Sequence, residues 1–205
     1  AARPATGAPP LGGTVDDLGT GNAMMRGPGG TKQSAEPTYP AVPAELLPPL
    51  TALNQTMAEE IRTGKLQVTL GARGLVVSFT QTSLFQSGSD RVQPEALELL
   101  ERVAGVLQPL KNNVLVEGHT DAIPINNGRF RSNWELSAAR GIAVMRVLID
   151  KLKVDGRRVS IMGRGENGAI DSNASAEGRA KNRRVDIVIQ GLTVAGASEA
   201  ISQFK

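Results

Sequence analysis

Apolar residues recur at helical spacing in three stretches of the chain. The first has steps of four, three, four and four residues, and it predicts a helix over about 46 to 63. Pro48 and Pro49 suit the first turn of this helix and Gly64 its end. The second stretch opens at Pro94, and the third runs from about Asn133 to Lys153 behind a capping box, Ser132-x-x-Glu135. We therefore expect three amphipathic helices.

Other stretches alternate between apolar and polar positions or form short apolar runs. Two alternating stretches, which start at Leu66 and Leu75, flank the turn 71–74 and predict a β-hairpin. Three further strands are predicted at 114–116, 159–162 and 185–189. The order is helix, hairpin, helix, strand, helix, strand, loop, strand. It predicts an α/β fold in which long helices pack on one face of a mixed β-sheet.

The amino-terminal part of the chain has a different composition. The first 50 residues hold 9 of the 12 prolines and 8 of the 23 glycines, without an apolar period. Such a segment cannot bury enough apolar surface to offset its chain entropy. We predict a disordered linker over 1–45, a linker helix over 46–64, a folded domain over 65–191 and a tail over 192–205. Because the sequence begins with Ala1 and not with an initiator methionine, a targeting or anchoring segment is expected upstream.

Composition and charge exclude several classes of function. The chain has no cysteine and a single histidine, His119, so neither thiolate nor multi-histidine metal sites can form, and no metal or cofactor is expected. Four basic residues lie within Gly178–Arg184, but the net charge is only +3 and aromatic residues make up 3%. Without an aromatic ladder this run does not indicate nucleic-acid binding. The longest apolar run, Ile142–Met145, is too short to cross a bilayer.

Candidate chemistry is concentrated after the third predicted strand. Gly118-His119-Thr120-Asp121 follows a buried strand, the position where α/β sheets place ligands. Asn133, Leu136 and Arg140 lie on one side of the third helix. Asp121 and Arg140 could form a plain salt bridge, or they could be held apart to face a zwitterionic ligand. His119 could act as a base, or it could be a hydrogen-bonded structural residue.

The sequence also contains a glycine-rich motif. Gly163–Gly168 matches G-x-G-x-x-G after a predicted strand. A dinucleotide site needs a helix amino terminus directly after the glycines, whereas the turn-rich 169–174 has no helical period. We therefore do not expect nucleotide binding.

Several ordered motifs resemble the OmpA-like peptidoglycan-binding domain family. They are Gly118-His119-Thr120-Asp121, Asn133-x-x-Leu136-Ser137-x-x-Arg140, Gly163-x-Gly165-Glu166 and Gly178-Arg179-x-x-Asn182-Arg183-Arg184-Val185. Within that family, Asp121-x-x-Pro124-Ile125 and the segment 130–137 look most like the periplasmic region of the flagellar motor stator subunit MotB. The resemblance implies an OmpA-C-like two-layer sandwich. The sequence departs from the family pattern at Gly141, where alanine is usual.

The resemblance also implies a ligand and a set of site residues. In the family, the ligand is the diaminopimelate of the peptidoglycan stem peptide, whose side-chain end carries an ammonium and a carboxylate. Asp121 would bind the ammonium and Arg140 the carboxylate, so both side chains are expected to face the ligand rather than the core. Thr120 and Asn133 would be hydrogen-bond partners. Leu136 would form an apolar wall, and Arg183 would make a second anion contact.

The resemblance further implies a non-enzymatic role with named partners. A stator subunit of this type would be a homodimer in the periplasm that anchors the motor to peptidoglycan. An upstream transmembrane helix, absent from this sequence, would tether it to the inner membrane and join it to a MotA-like subunit. Two alternatives stay open. One is a static OmpA-like or lipoprotein-type wall tether, and the other is a peptidoglycan hydrolase that uses His119 and Asp121.

Overall fold

The computed structural model describes residues 43–192 of the 205-residue chain. The predicted linker 1–45 and tail 192–205 therefore lie almost wholly outside the described residues, and both stay predictions. In the described part of the chain, no helix is long and apolar enough to span a membrane.

Five strands form one mixed sheet. They are β1 (Leu66–Gly71), β2 (Gly74–Thr80), β3 (Val114–Gly118), β4 (Val159–Gly163) and β5 (Arg184–Ile189). The spatial order is β1-β2-β5-β3-β4, and only β3 and β4 run parallel to each other. The carboxy-terminal strand β5 thus lies between the hairpin and β3. The predicted α/β class, the hairpin and the mixed sheet are confirmed.

The described residues form six α-helices: α1 (Leu47–Thr56), α2 (Ala58–Arg62), α3 (Gln81–Leu84), α4 (Glu95–Leu107), α5 (Asn133–Arg146) and α6 (Ala176–Asn182). The apolar residues of α1, α4 and α5 pack on one face of the sheet. A π-helical turn, Val147–Lys151, extends α5. Every second residue of the central strands points to this face, where Val77, Val116 and Ile187 join Leu53 and Leu100 from the helices in one apolar core.

Some helix boundaries match the sequence signals, but one predicted helix is interrupted. The Ser132 hydroxyl accepts the Glu135 N–H at 3.3 Å, so the predicted cap starts α5. The amino-terminal helix is one continuous apolar stripe in sequence, but the backbone breaks it at Met57, whose φ of −116° and ψ of 18° are not helical. Gly64 follows α2 with a φ of +70°, as its expected terminating position requires.

Two helices were not predicted, and the expected loop before β5 contains one of them. The helix α6 has only seven residues and no apolar stripe. Its ends are held by polar contacts instead, because the Ser175 hydroxyl accepts the Gly178 N–H and the buried Asn182 amide accepts the Ile170 and Asp171 N–H groups. Periodicity cannot reveal a helix that is stabilised in this way.

Replacing Gly141 with alanine should stabilise the domain by about 0.5–1 kcal/mol. Gly141 lies inside α5, and a methyl group there would meet its nearest neighbour, the Val116 carbonyl oxygen, at an ordinary 3.5 Å. The gain comes from restricting the unfolded chain without a clash in the folded one. Urea denaturation of both proteins measures it, and a lower midpoint for Gly141→Ala would show that the helix and sheet cannot take the methyl group.

Candidate functional site

A surface cavity of about 580 Å³ opens where β3 ends and α5 begins. It is lined by all six residues that the sequence pointed to: Thr120, Asp121, Asn133, Leu136, Arg140 and Arg183. Thr120 and Asp121 lie in the loop after β3, and Asn133, Leu136 and Arg140 lie on one side of α5. Arg183 directly precedes β5. The structure therefore brings the predicted site residues together, although they span more than 60 positions of the chain.

A very close contact between sheet and helix sets the position of this site. A Cβ atom added to Gly118, the last residue of β3, would lie 2.0 Å from the Ser137 carbonyl oxygen of α5. Only glycine allows the two backbones to approach this far. Asp121 follows Gly118 by three residues and Arg140 follows Ser137 by three, so this contact fixes the distance between the two halves of the site.

The loop that carries Asp121 is held by hydrogen bonds on both sides. The Thr120 N–H donates to the Gly165 carbonyl at 2.8 Å. The Asn133 amide donates to the carbonyls of Asp121 and Ile123 at 3.3 and 3.1 Å. Thr120 also donates its hydroxyl to the Asp121 carbonyl. Thr120 and Asn133 thus hold the loop in shape while they line the cavity.

The Asp121 carboxylate is already engaged. One oxygen accepts Arg183 Nη1 at 2.6 Å, and the other accepts the Ile123 N–H at 3.1 Å. The plain Asp121–Arg140 salt bridge that the sequence left open is not the pair that forms, because Arg183 occupies the carboxylate instead. The Asp121–Arg183 contact joins the loop after β3 to the residue that links α6 to β5.

Arg140 is buried, with 2% of its surface exposed. Its Nε donates to the Ser89 carbonyl at 3.0 Å, its Nη1 donates to Gln81 Oε1 at 3.2 Å, and its guanidinium carbon lies 5.3 Å from the centroid of the Phe85 ring. The expectation that Arg140 lies outside the core is therefore wrong, whereas its contact with a ligand stays a prediction. The side chain is part of the packing and lines the cavity as well.

One nitrogen of this guanidinium stays unmatched. Arg140 Nη2 is buried and has no hydrogen-bond partner among residues 43–192. Burial, followed by the charge of Arg183, lowers the pKa of Arg140 to about 10, so the group is still protonated at neutral pH. A buried N–H of a charged group costs free energy until it is paired. Arg140 thus brings a positive charge with unused hydrogen-bonding capacity to the wall of the cavity, where a carboxylate is its natural partner.

The sequence missed the opposite wall of the cavity. Gln81 and Thr82 of α3, together with Ser87 and Gly88, form this wall and lie 33 to 40 positions upstream of Asp121. Ile123, Pro124 and Ile125 add an apolar rim. Pro124 and Ile125 belong to a motif quoted for the family resemblance, which was the available signal for the rim. No signal in Gln81–Gly88 indicated a site, because its role depends on where α3 packs.

His119 lies next to the site but takes part in a separate buried network. Its Nε2 is 3.4 Å from an Asp186 oxygen and 3.8 Å from a Glu117 oxygen. Glu117 also accepts Arg73 at 2.6 Å and Arg164 at 2.9 Å, and Arg184 donates to Asp186 at 3.1 Å. His119 does not line the cavity. The structural interpretation of His119 therefore fits this arrangement better than a catalytic base.

The same network brings together a possible metal-binding set that the sequence did not indicate. Ligand atoms of Glu117, His119 and Asp186 lie within 4.8 Å of one another. Three guanidinium groups, those of Arg73, Arg164 and Arg184, already contact the two carboxylates. A metal cation would enter a cluster that is positively charged, so the residues suit an ion-pair network rather than a metal site.

The stability of the domain should be highest between about pH 4.5 and pH 6.5. Burial lowers the pKa of His119, but the hydrogen bonds to Asp186 and Glu117 outweigh it and raise that pKa above 6.5. This stabilisation is complete below the unfolded-state pKa and is lost as the pH rises through the folded-state pKa. The nearby His119 imidazole, with the hydrogen bonds from Arg164 and Arg73, lowers the pKa of Glu117 to about 2 despite burial. That contribution is present above about pH 4.5 and is lost as the pH falls towards 2.

Two measurements check this pH dependence. Because His119 is the only histidine, its imidazole resonances give the folded-state pKa without assignment. Urea midpoints across the pH range give the stability, and His119→Gln should remove the decline on the alkaline side. An imidazole that titrates below 6.5 in the folded protein would contradict the prediction.

The sequence of this chain is similar to those of known proteins. Residues 84–183 match the model of the OmpA family. Motility protein B of Bacillus subtilis is 36% identical over 127 residues, which make up 61% of this chain and 48% of that protein. The chain thus spans about half the length of this relative.

Solved structures give the same result for the fold. The cell wall anchor of the T6SS from Pseudomonas aeruginosa is 38% identical, with a TM-score of 0.63, and the match covers 68% of this chain and 96% of that one. The periplasmic domain of Helicobacter pylori MotB is 29% identical, with a TM-score of 0.59, over 67% of this chain and 90% of that one. The mixed sheet with its helices on one face is therefore the fold of these domains.

Proposed function

Because the chain belongs to the OmpA family, we propose that its folded domain binds peptidoglycan and anchors a flagellar motor stator of the MotB type to the cell wall. The ligand is the diaminopimelate of the stem peptide. The domain acts by binding and not by catalysis.

The proposal rests on one observation: Asp121 and the buried, incompletely bonded Arg140 line the same cavity without forming a salt bridge to each other. The free end of diaminopimelate has an ammonium and a carboxylate on the same carbon. Asp121 binds the ammonium, and Arg140, which also lines the cavity, binds the carboxylate. Charge-assisted hydrogen bonds of this kind contribute about 1.5–3 kcal/mol each where water is excluded.

The other cavity residues complete the recognition. Thr120 and Asn133 offer hydrogen bonds to the ligand, and they keep the loop of Asp121 in place. Leu136, 5% exposed, forms an apolar wall for the methylene chain of diaminopimelate. Arg183 is close enough to Asp121 to reach a bound carboxylate as a second cation.

The rest of the protein provides the mechanical connection. The domain is periplasmic, and an upstream transmembrane helix tethers it to the inner membrane beside a MotA-like subunit. The stator is a homodimer, so that two wall sites act together. Individually modest sites then give firm anchoring, because the second binding event is intramolecular.

A second candidate is a static wall tether. It is favoured by the 38% identity to a protein described as the cell wall anchor of the T6SS. The two candidates share the binding site and differ in what precedes it. The sequence upstream of Ala1 distinguishes them, since a stator requires a transmembrane helix that bears an ion-carrying aspartate.

A hydrolase is the third candidate, and the geometry gives it the least support. His119 is enclosed by Glu117, Asp186 and Arg184, and it does not line the cavity that contains Asp121. A base outside the cavity cannot reach a bound substrate. Release of soluble fragments from purified peptidoglycan by this protein would revive that candidate.

Purified cell-wall sacculi test the proposal directly. Wild-type protein should be retained on sacculi that contain diaminopimelate, and Arg140→Lys should lower retention about tenfold or more, because lysine cannot replace the fork of donors. Arg146→Lys is the control, since Arg146 is exposed in the same helix and does not line this cavity. Equal retention of the Arg140→Lys and Arg146→Lys proteins would reject the proposed binding site.

In a motile cell the full-length Arg140→Lys protein should reach the membrane without supporting swimming.

A further inference from the structure

We infer that Arg183 sets the specificity of this cavity by closing Asp121 in the free protein, so that a ligand with an ammonium alone is rejected. The inference rests on the proposed function and goes beyond it. In the proposed function Arg183 is a second contact for the ligand. Here it is a competitor for Asp121 that must be displaced before the ammonium can bind.

The geometry of the free site shows this competition. Arg183 Nη1 lies 2.6 Å from Asp121 Oδ2, and the second carboxylate oxygen accepts the Ile123 N–H. The Asp121 side chain is only 9% exposed. An incoming ammonium therefore meets a carboxylate whose two oxygens already have partners, and the Arg183 contact is the one that it can replace.

Arg183 is built to move away. Its side chain is 32% exposed and makes no other hydrogen bond within residues 43–192. Its backbone is fixed, because its N–H donates to the Arg179 carbonyl and its carbonyl accepts the Gln81 N–H. The guanidinium can thus pivot at the cavity mouth while the main chain stays in place.

The charge balance of the cavity decides which ligand can displace it. The charged residues that line the cavity are Asp121, Arg140 and Arg183, with two positive charges against one negative charge. An ammonium that takes Asp121 leaves the guanidinium groups of Arg140 and Arg183 without a free carboxylate among the residues that line the cavity. A zwitterion brings a carboxylate that pairs with both Arg140 and the released Arg183. The exchange is therefore favourable only when both charges arrive together.

Two stem peptides that differ in one carboxylate provide the test. The first carries meso-diaminopimelate at its third position. The second carries lysine there, which keeps the ammonium and lacks the carboxylate. Calorimetric titration of the wild-type protein should give at least about tenfold tighter binding of the diaminopimelate peptide.

The decisive variant is Arg183→Gln, which frees Asp121 and removes one cation. We expect the lysine peptide to bind about threefold tighter or better and the diaminopimelate peptide to bind more weakly, so that the two affinities move in opposite directions. Lys181→Gln is the matched control. It removes the same charge two positions away, at a 64% exposed side chain that pairs with Asp171 outside the cavity. It should change neither affinity.

The possible results separate the inference from the proposed function. If Arg183→Gln leaves the lysine peptide unchanged or weaker, Arg183 is an ordinary ligand contact and the inference is wrong. If the wild-type protein does not prefer the diaminopimelate peptide, the proposed function itself fails. Circular dichroism verifies folding, and Arg183→Met, which keeps the apolar stem of the side chain, gives the same test if the glutamine variant does not fold.

Discussion

Asp121→Asn should weaken binding of the diaminopimelate stem peptide by about a hundredfold, equivalent to about 2.7 kcal/mol. Asparagine has nearly the same shape, and its carbonyl oxygen can still accept the Ile123 N–H that the carboxylate accepts now. The variant loses the negative charge, which is the only one that lines the cavity. An ammonium would then enter a site with two guanidinium groups and no carboxylate.

The folded state should tolerate this change much better than the site does. The Asp121–Arg183 pair is lost, but Arg183 is 32% exposed and can be solvated by water. We therefore expect a small change in thermal midpoint next to a large loss of affinity, as measured by calorimetry on the same samples. Asp171→Asn is the control, because it breaks the exposed Lys181 pair outside the cavity. Binding that survives Asp121→Asn would show that the ammonium is recognised elsewhere.

Gly118→Ala should destabilise the domain by at least about 3 kcal/mol and lower its thermal midpoint by about 10 °C. The added methyl carbon would lie 2.0 Å from the Ser137 carbonyl oxygen, and the carbon of that carbonyl is 2.8 Å away. Both obstructing atoms belong to the backbone of α5. No side-chain rotation can relieve the clash, so the helix must move away from β3.

That movement should also disturb the site, because Asp121 and Arg140 each follow the contact by three residues. Any folded Gly118→Ala protein should bind the stem peptide more weakly than the wild type. Gly105→Ala in α4 is the control, since a Cβ there meets nothing within 4 Å and alanine favours the helix. A wild-type midpoint for Gly118→Ala would mean that the sheet and α5 are not in the close contact described above.

The sequence by itself determined the elements whose information is local. The apolar period of α4 and α5, the alternation in β1 and β2 and the cap at Ser132 each lie within a few residues, and all of them are observed. Helical geometry also puts Asn133, Leu136 and Arg140 on one side of α5, and all three line the cavity. The short polar helix α6 was not predicted from the sequence, because its stability comes from hydrogen bonds of Asn182 and Ser175 and not from an apolar face.

Tertiary structure decided which charges meet. Asp121 pairs with Arg183, 62 positions away, and Arg140 bonds to Gln81 and Ser89 from another part of the chain. Glu117 and Asp186 become neighbours only because β3 and β5 pair in one particular register. Ion pairs depend on distances of a few ångströms, whereas sequence periodicity fixes only which face of an element a residue occupies. The sequence could therefore name six residues that line this cavity, and only the packing of β5 and α3 around α5 could show how their charges are shared.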